Sequence, residues 1–342
     1  MKQDRAKRED RFDTSIAAAR RTILKAAGAS AAIGVGSGVA GGRSRGGTAA
    51  HGSEHGDGSR GPPHIDPVFG KAVAGGNPCA NAGDGEPPGD DCFDEFRPPL
   101  RPSSEVEVHI DVPGILFALA SQGVLSEETT ASINEAAADG SIAGDDDTLH
   151  KPDQSVTVDL PGGGTEEITV RQIARLVATM VGFHYDPAGL RVEPGDVVLF
   201  SAETPDHAVA AYHERHGRQN RVPSGAPPVS SPLIPVGGYW LYRFEDEGVY
   251  DLYCPPHQVF GMVMRVVVYD GSGDVPTVED SVDPGTGRPP EDENWLPSVL
   301  GGLDPNVPSS AEALGTNALD PERIVSEDAV HWEEVVAEHR GG

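Results

Sequence analysis

Hydrophobic and polar residues alternate in two runs near residue 260 and predict two β-strands. In the first run Val249, Asp251 and Tyr253 alternate with Tyr250, Leu252 and Cys254, and in the second the alternation extends from Val263 to Val268. A period of two residues is typical of a strand with one face toward a core. The residues between the runs therefore form a loop that a strand fixes at each end. Similar patterns predict strands at 105–112, 197–200 and 239–244.

A different pattern lies between the first two of these strands. Ile115–Ser121 and Ser126–Ala138 predict a helical hairpin, and Ser155–Leu160 with Glu167–Val170 predict a β-hairpin. Arg171–Val181 predicts a helix that buries Ile173, Leu176, Val177 and Met180. This mixed α/β segment, about 113–181, is either an insertion after the first strand or a small domain before the other strands. We favour the insertion.

The loop between the strands at 249–254 and 263–268 carries three potential metal ligands in the order Cys-x2-His-x4-Met: Cys254, His257 and Met262. Soft sulfur ligands select Cu(I), and imidazole binds both oxidation states of copper. A trigonal site of two His and one Cys with a weak axial Met is the blue-copper arrangement. The second His is expected to be His207, which follows the turn Pro194-Gly195-Asp196 and a strand. His213 is an alternative to His207, whereas His184 is expected at the polar surface.

The pattern P-G-D-x-V-x-F…P-x-H-x-V followed by G-x-Y-x-x-Y-C-x-P-H…G-M resembles the cupredoxin family, which includes plastocyanin, pseudoazurin and the halocyanins. The clear match covers residues 183–270. It implies a mainly β protein with a Greek-key β-sandwich, one copper ion, and His207, Cys254, His257 and Met262 as its ligands. It also implies one-electron transfer between redox partner proteins, with the edge of His257 as the electron port among Pro255, Pro256, Val259 and Phe260.

Two features depart from the family pattern. Pro255 and Pro256 have no backbone N–H, so neither can donate a hydrogen bond to the Cys254 sulfur. Ala208 stands where plastocyanin-like proteins often have an Asn that connects the His strand to the Cys loop. We therefore expect either a looser site or a site that is braced by the additional segments of this chain.

Charge and composition limit the partners and the environment. The 342 residues have a formal net charge of −28, with 43 Gly and 30 Pro. Acidic residues spread along the chain predict solubility in concentrated salt and suggest a halophilic archaeon as the source. They argue against nucleic acid as a partner because no basic patch could neutralise phosphates. Residues 47–103 are interpreted as an irregular lead-in closed by a Cys79–Cys92 disulfide, and 271–342 as an acidic extension with one short helix, Ser326–Glu338.

Residues 1–46 predict an export signal. Arg20-Arg21-Thr22-Ile23-Leu24-Lys25 resembles the twin-arginine motif, and a mildly apolar run of small residues extends from Ala26 to Ala40. The protein is therefore expected outside the cytoplasmic membrane, either free or at the cell surface. The sequence does not determine whether the signal is cleaved or retained as an anchor.

Other functions compete with electron transfer. A copper storage or delivery protein would use the same ligands, and a surface interaction protein would use the sandwich as a scaffold for its acidic flanks. A copper enzyme is disfavoured because the sequence has no His-x-His pair and has Pro255, not His, after Cys254. A binuclear copper centre would need two cysteines in the loop, which contains only Cys254.

Overall fold

Two five-stranded β-sheets face each other in this computed structural model, and the apolar sides of their strands meet in one core. The structure describes residues 64–81, 90–139, 148–160, 163–278 and 295–341. The predicted signal segment, residues 1–46, lies outside these ranges. Within them, no helix has both the length and the apolar character needed to cross a membrane.

The alternating runs of the sequence form the strands. In chain order these are β1 (Lys71–Val73), β2 (Ser104–Asp111), β3 (Ser155–Asp159), β4 (Thr165–Thr169), β5 (Gly182–Asp186), β6 (Gly189–Val192), β7 (Val197–Ala202), β8 (Ala210–Ala211), β9 (Tyr239–Arg243), β10 (Gly248–Tyr253), β11 (Val263–Val268) and β12 (Ala329–Val330). The first sheet has the order β1-β9-β7-β2-β5 and the second β12-β6-β11-β10-β8. The pairs β2–β7 and β6–β11 are parallel, and the other pairs are antiparallel. The predicted mainly β sandwich is confirmed.

The mixed α/β segment lies in the chain between β2 and β5, which are antiparallel neighbours. It contains helices α1 (Gly114–Gln122), α2 (Glu127–Asp139) and α3 (Val170–Thr179) and the separate hairpin β3–β4. A capping box between Thr169 and Gln172 begins α3, and the buried face of this helix includes Ile173 and Val177. These residues belong to the same hydrophobic core as the sandwich.

The described parts of the lead-in, residues 64–81 and 90–103, are more ordered than the sequence predicts. β1 adds to the edge of the first sheet beside β9, and Ile65, Phe93 and Phe96 cover the outer face of that sheet. The reason is that β7 and β9 also have apolar residues on this outer face, including Val197, Leu199 and Leu241. Removing these side chains from water stabilises the lead-in against the sheet. Cys79 and Cys92 are joined in a disulfide with an S–S distance of 2.05 Å.

The described part of the C-terminal extension packs on the sandwich, and its predicted helix Ser326–Glu338 is correct only from Trp332 onward. Ser326 belongs to an earlier helix, and β12 and a final helix follow; the helices are α4 (Leu296–Val299), α5 (Ser310–Gly315), α6 (Pro321–Glu327) and α7 (Trp332–Gly341). The interruption has a local cause: Asp328, at φ 62°, ends α6, and the chain then pairs with β6. Trp332 is fully buried, and its Nε1 donates to the carbonyl oxygen of Val181.

A buried ion triad fastens the extension to the second sheet. The carboxylate of Asp251 on β10 accepts hydrogen bonds from Arg221 and Arg265, each at 2.7 Å. Arg265 also donates to the carbonyl oxygens of Leu314 and Leu319 in the extension. Because buried charges need both an opposite charge and hydrogen bonds, these contacts hold the extension in a defined position.

Candidate metal centre

The loop with the sulfur ligands is held at both ends by the β10–β11 pair. Tyr253 lies opposite Val263, and the N–H of the next residue, Cys254, donates to the carbonyl oxygen of Met262 at 3.1 Å. Between them the N–H groups of His257 and Gln258 donate to the carbonyl oxygen of Cys254. The ends of the loop are therefore adjacent, and a tight turn directs the side chains of Cys254 and His257 toward each other.

His207 comes from a different part of the chain. It pairs with Ile234 in an isolated bridge just before β8, and its side chain is fully buried. Its Nε2 lies 2.8 Å from the hydroxyl of Thr204, which also accepts the N–H of Ile110 at 3.0 Å. When Nε2–H donates to Thr204, the lone pair of Nδ1 is free to bind a metal. Thr204 therefore orients this imidazole.

Three donor atoms converge in this centre. The Nδ1 atoms of His207 and His257 are 3.2 Å apart, and the Cys254 Sγ lies 3.9 Å from the first and 3.6 Å from the second. A point equidistant from all three atoms is about 2.1 Å from each, close to the ~2.0–2.3 Å at which imidazole nitrogen and thiolate sulfur bind a first-row metal such as zinc. The three donors thus fit one metal ion in a trigonal arrangement.

Met262, the predicted axial ligand, lies directly before β11. It is fully buried, and its backbone is hydrogen-bonded to that of Cys254. The loop therefore brings the predicted thioether to the same end of the sandwich as the three convergent atoms.

Burial keeps the three donors neutral when no cation is bound. Desolvation raises the pKa of the Cys254 thiol to about 12 and lowers the pKa of His207 to about 2 and that of His257 to about 4. A neutral thiol and two neutral imidazoles cost the least in a medium of low dielectric constant. A metal cation would compensate the thiolate charge and replace its proton, so these donors suit a positive ion.

The surroundings of the sulfur include one backbone donor. The N–H of Ala208 lies 3.4 Å from the Cys254 Sγ, and the hydroxyl of buried Tyr185 donates to the carbonyl oxygen of Ala208. The backbone of residue 208 thus connects the His207 segment to the Cys254 loop, although its side chain cannot.

Among the candidate ligands, His257 is the one nearest to solvent. It is half-buried, as are Val259 and Phe260, whereas Pro256 is exposed. The ring of Phe183 packs against His257 with 4.3 Å between centroids and stacks on Phe260 at 4.8 Å. No sequence pattern assigned Phe183 to the site, because this residue is 74 positions before His257 and only the pairing of β5 brings it close. The only signal for Thr204 was its position three residues before His207.

The other candidate histidines lie elsewhere. His213 is satisfied by the carbonyl oxygen of Ala226 and the N–H of Arg215, and it is outside the convergent group. The expectation that His184 is polar surface is wrong, because this side chain is buried and lies beside the rings of His109 and Trp332. The reason is that the extension covers the strand that carries it.

Two further groups of potential ligands occur among the described residues. One contains Cys79 and Cys92, whose sulfurs are already bonded to each other. The other contains Glu107, His109 and Glu203 at the surface of the first sheet, where the His109 ring is 3.4 Å from the Glu203 carboxylate. Of the three groups among the described residues, the group of His207, Cys254 and His257 has a free thiol and two imidazoles, and two of its three members are buried.

Comparison with known proteins agrees with this chemistry. Residues 174–269 match the model of copper-binding proteins of the plastocyanin/azurin family. Pseudoazurin from Methylorubrum extorquens is 32% identical over 116 residues, which are 34% of this chain and 70% of that protein.

Similar solved structures include pseudoazurins and amicyanins. The native protein of Hyphomicrobium denitrificans is 29% identical, with a TM-score of 0.22, over 26% of this chain and 64% of that one. The refined crystal structure of pseudoazurin from Methylobacterium extorquens AM1 is 24% identical, with a TM-score of 0.24, over 43% of this chain and 85% of that one. This chain thus spans less than two thirds of the first of these structures, and most of this chain lies outside each alignment.

Proposed function

Because the chain belongs to the plastocyanin/azurin family of copper-binding proteins, we propose that it is a blue copper protein that carries one electron between redox partner proteins. The ligands in this proposal are His207, Cys254, His257 and Met262. The observation that carries it is the convergence of one buried imidazole, one half-buried imidazole and one buried thiol, whose donor atoms lie 3.2–3.9 Å from one another.

Copper supplies the change between Cu(I) and Cu(II) by which one electron is gained or lost. The residues of this chain keep the donor atoms in one arrangement during that change. Thr204 fixes the ring of His207, the β10–β11 pair fixes both ends of the Cys254 loop, and Phe183 supports the ring of His257. A site that rearranges little requires little reorganisation for each transfer.

The half-buried edge of His257 is the proposed electron port. It lies among Pro255, Pro256, Val259 and Phe260, a mostly apolar surface on which a partner could dock without displacing strongly held water. Burial of His207 and Cys254 argues against the alternative of copper delivery, since a delivery site must expose its ligands to the acceptor.

The location outside the cytoplasmic membrane is part of this proposal, as is a source in concentrated salt. The Arg20-Arg21 motif supports export, and the net charge of −28 supports the saline environment. The Cys79–Cys92 disulfide also supports export, because disulfides persist in oxidising compartments. Recovery of the protein only from the cytosol of fractionated source cells would contradict export.

The proposed domain organisation is 1–46 for the signal, 47–103 for the lead-in, 104–270 for the cupredoxin domain and 271–342 for the extension. The family match at 174–269 supports the C-terminal part of the third unit, and the α/β segment at 113–181 explains why the match begins late. β2, before that segment, still pairs with β5 and β7.

Visible absorption and electron paramagnetic resonance of the Cu(II)-loaded protein test the proposal. The wild-type protein should show an intense thiolate-to-copper band and a narrow copper hyperfine splitting, both bleached by a reductant. Cys254→Ser should lose the band completely because the substitution removes the sulfur ligand.

The matched control is His213→Gln, which replaces a buried imidazole outside the convergent group and should leave the spectrum unchanged. A pale cupric spectrum in the wild-type protein, or one that Cys254→Ser does not alter, would refute the blue-copper assignment.

A further inference from the structure

Two segments that flank the metal-binding loop both contact Gln258, the residue after the proposed ligand His257. The Gln258 side chain is buried, and its amide nitrogen donates to the hydroxyl of Tyr212 at 2.7 Å. Its backbone carbonyl accepts the hydroxyl of Ser310 from the C-terminal extension, also at 2.7 Å. The loop is therefore held from two sides at this residue.

The side-chain oxygen of Gln258 accepts a hydrogen bond from Arg218. The guanidinium Nη2 donates to Gln258 Oε1 at 2.5 Å, and the Arg218 Cζ lies 4.8 Å from the centre of the Tyr253 ring. Arg218 is only 8% exposed. One buried cation thus contacts the residues directly beside two proposed ligands, since Tyr253 precedes Cys254 and Gln258 follows His257.

These contacts hold the Cys254 loop in a region where the side chain of Ala208 cannot form a hydrogen bond to it. At residue 208 the backbone, and not the side chain, contacts the Cys254 loop, and Pro255 and Pro256 contribute no N–H. The planar fork of Arg218 can hold Gln258 in one orientation, whereas a more flexible ammonium could not.

We propose that Arg218 is a positioning residue of the copper centre, which holds the metal-binding loop through Gln258 and raises the reduction potential of the site. This inference rests on the proposed function. The physical reason for the second effect is that Cu(II) carries one more positive charge than Cu(I). A fixed guanidinium in a medium of low dielectric constant repels that additional charge and favours the reduced state.

The test is the reduction potential of the copper-loaded full chain, measured by spectroelectrochemistry for the wild-type protein and Arg218→Met. At a fixed applied potential, the ratio of oxidised to reduced protein should rise by about tenfold in Arg218→Met. That change corresponds to a potential lower by about 59 mV for a one-electron couple. Arg218→Gln removes the same charge and replaces Arg218→Met if that variant does not fold.

Two controls separate charge from position. Arg215→Met removes an exposed guanidinium three residues away and should change the ratio by less than about twofold, because water screens that charge. Arg218→Lys keeps the charge but loses the fork, so its ratio should stay within about threefold of the wild-type ratio while the copper hyperfine splitting broadens.

If the ratio of oxidised to reduced protein in Arg218→Met or Arg218→Gln equals that in Arg215→Met, the inference is overturned. It is also overturned if Arg218→Lys changes the ratio as much as the variants that remove the charge. These results require a blue and reducible wild-type protein. A wild-type protein without the blue band would instead refute the proposed function, so the two failures are distinguishable.

Discussion

At the scale of single residues, burial and neighbouring charges determine the pKa values of the titratable side chains. Glu107, on the surface of the first sheet, is an example. Burial and then the nearby charge of Glu203 raise the pKa of Glu107 to about 7, with smaller effects from Glu105 and Asp186 in the same direction and from His109 in the opposite one. In the unfolded chain this carboxyl has an ordinary pKa near 4.5.

This shift predicts that Glu107 makes the protein less stable as the pH rises. Between pH 4.5 and 7 the folded protein binds the proton and the unfolded chain does not, so the free energy of unfolding falls with rising pH. Glu107→Gln should therefore raise that free energy at pH 8 by about 1 kcal/mol, a value reduced for the partial exposure of the group. At about pH 4, where both states are largely protonated, it should have little effect.

Urea unfolding of the metal-free protein at the two pH values measures this difference. Glu167→Gln, at an exposed position of the β3–β4 hairpin, is the control and should change stability by less than about 0.5 kcal/mol at either pH. A destabilised Glu107→Gln at the higher pH would show that the carboxylate is held by a favourable partner.

At the scale of elements, the C-terminal extension determines how much space the metal-binding loop has. Gly261 has φ 88°, and a Cβ at this position would collide with the backbone carbonyl oxygen of Pro308. Gly195 has nearly the same backbone conformation, φ 92°, but no atom lies within 4 Å of the point that a Cβ would occupy there. The two glycines thus share a conformational requirement and differ only in what packs against them.

Substitution of these two glycines by Ala separates strain from contact. Gly195→Ala should lower the free energy of unfolding by about 1–2 kcal/mol, the cost of a left-handed conformation for a residue with a Cβ. Gly261→Ala should lower it by at least about 2 kcal/mol more and should also broaden the copper hyperfine splitting, because the loop or the Pro308 segment must move.

Urea unfolding and electron paramagnetic resonance of both variants provide the measurements. Equal losses of stability with unchanged spectra would mean that the extension does not press on the loop in solution.

At the scale of the whole molecule, the dominant feature is the net charge of −28 over 342 residues. Like charges repel each other more in the compact state than in the expanded chain, so this charge opposes folding at low salt. Buried pairs such as Arg265 with Asp251 are shielded from salt, whereas most acidic side chains in the described ranges face solvent.

Salt should therefore stabilise the protein. Raising NaCl from about 0.1 M to about 1 M shortens the Debye length from about 10 Å to about 3 Å and screens the repulsion. The urea concentration at the midpoint of unfolding should therefore rise with the salt concentration. Urea is the suitable denaturant because guanidinium chloride is itself a salt. A midpoint that is constant or falls with salt would contradict this prediction.

The sequence determined much of the sandwich and the identity of the candidate ligands. Strand alternation is a local property with a period of two residues, so the strands at 248–253 and 263–268 were predicted to within a residue or two. The order Cys254, His257, Met262 lies within nine consecutive positions, and the spacing of Cys79 and Cys92 is also short. Side chains so close in sequence can be related without knowing the fold.

Only the tertiary structure decided which distant residues surround the site. The contacts of Phe183 with His257 and of Arg218 with Gln258 depend on how strands and segments pack, and no local periodicity encodes them. The same holds for the lead-in and the extension, whose short apolar stretches predict little until the outer faces of the two sheets are known. The physical reason is that each segment is buried only where a sheet offers a matching apolar face. The sequence pattern of the segment alone does not specify that face.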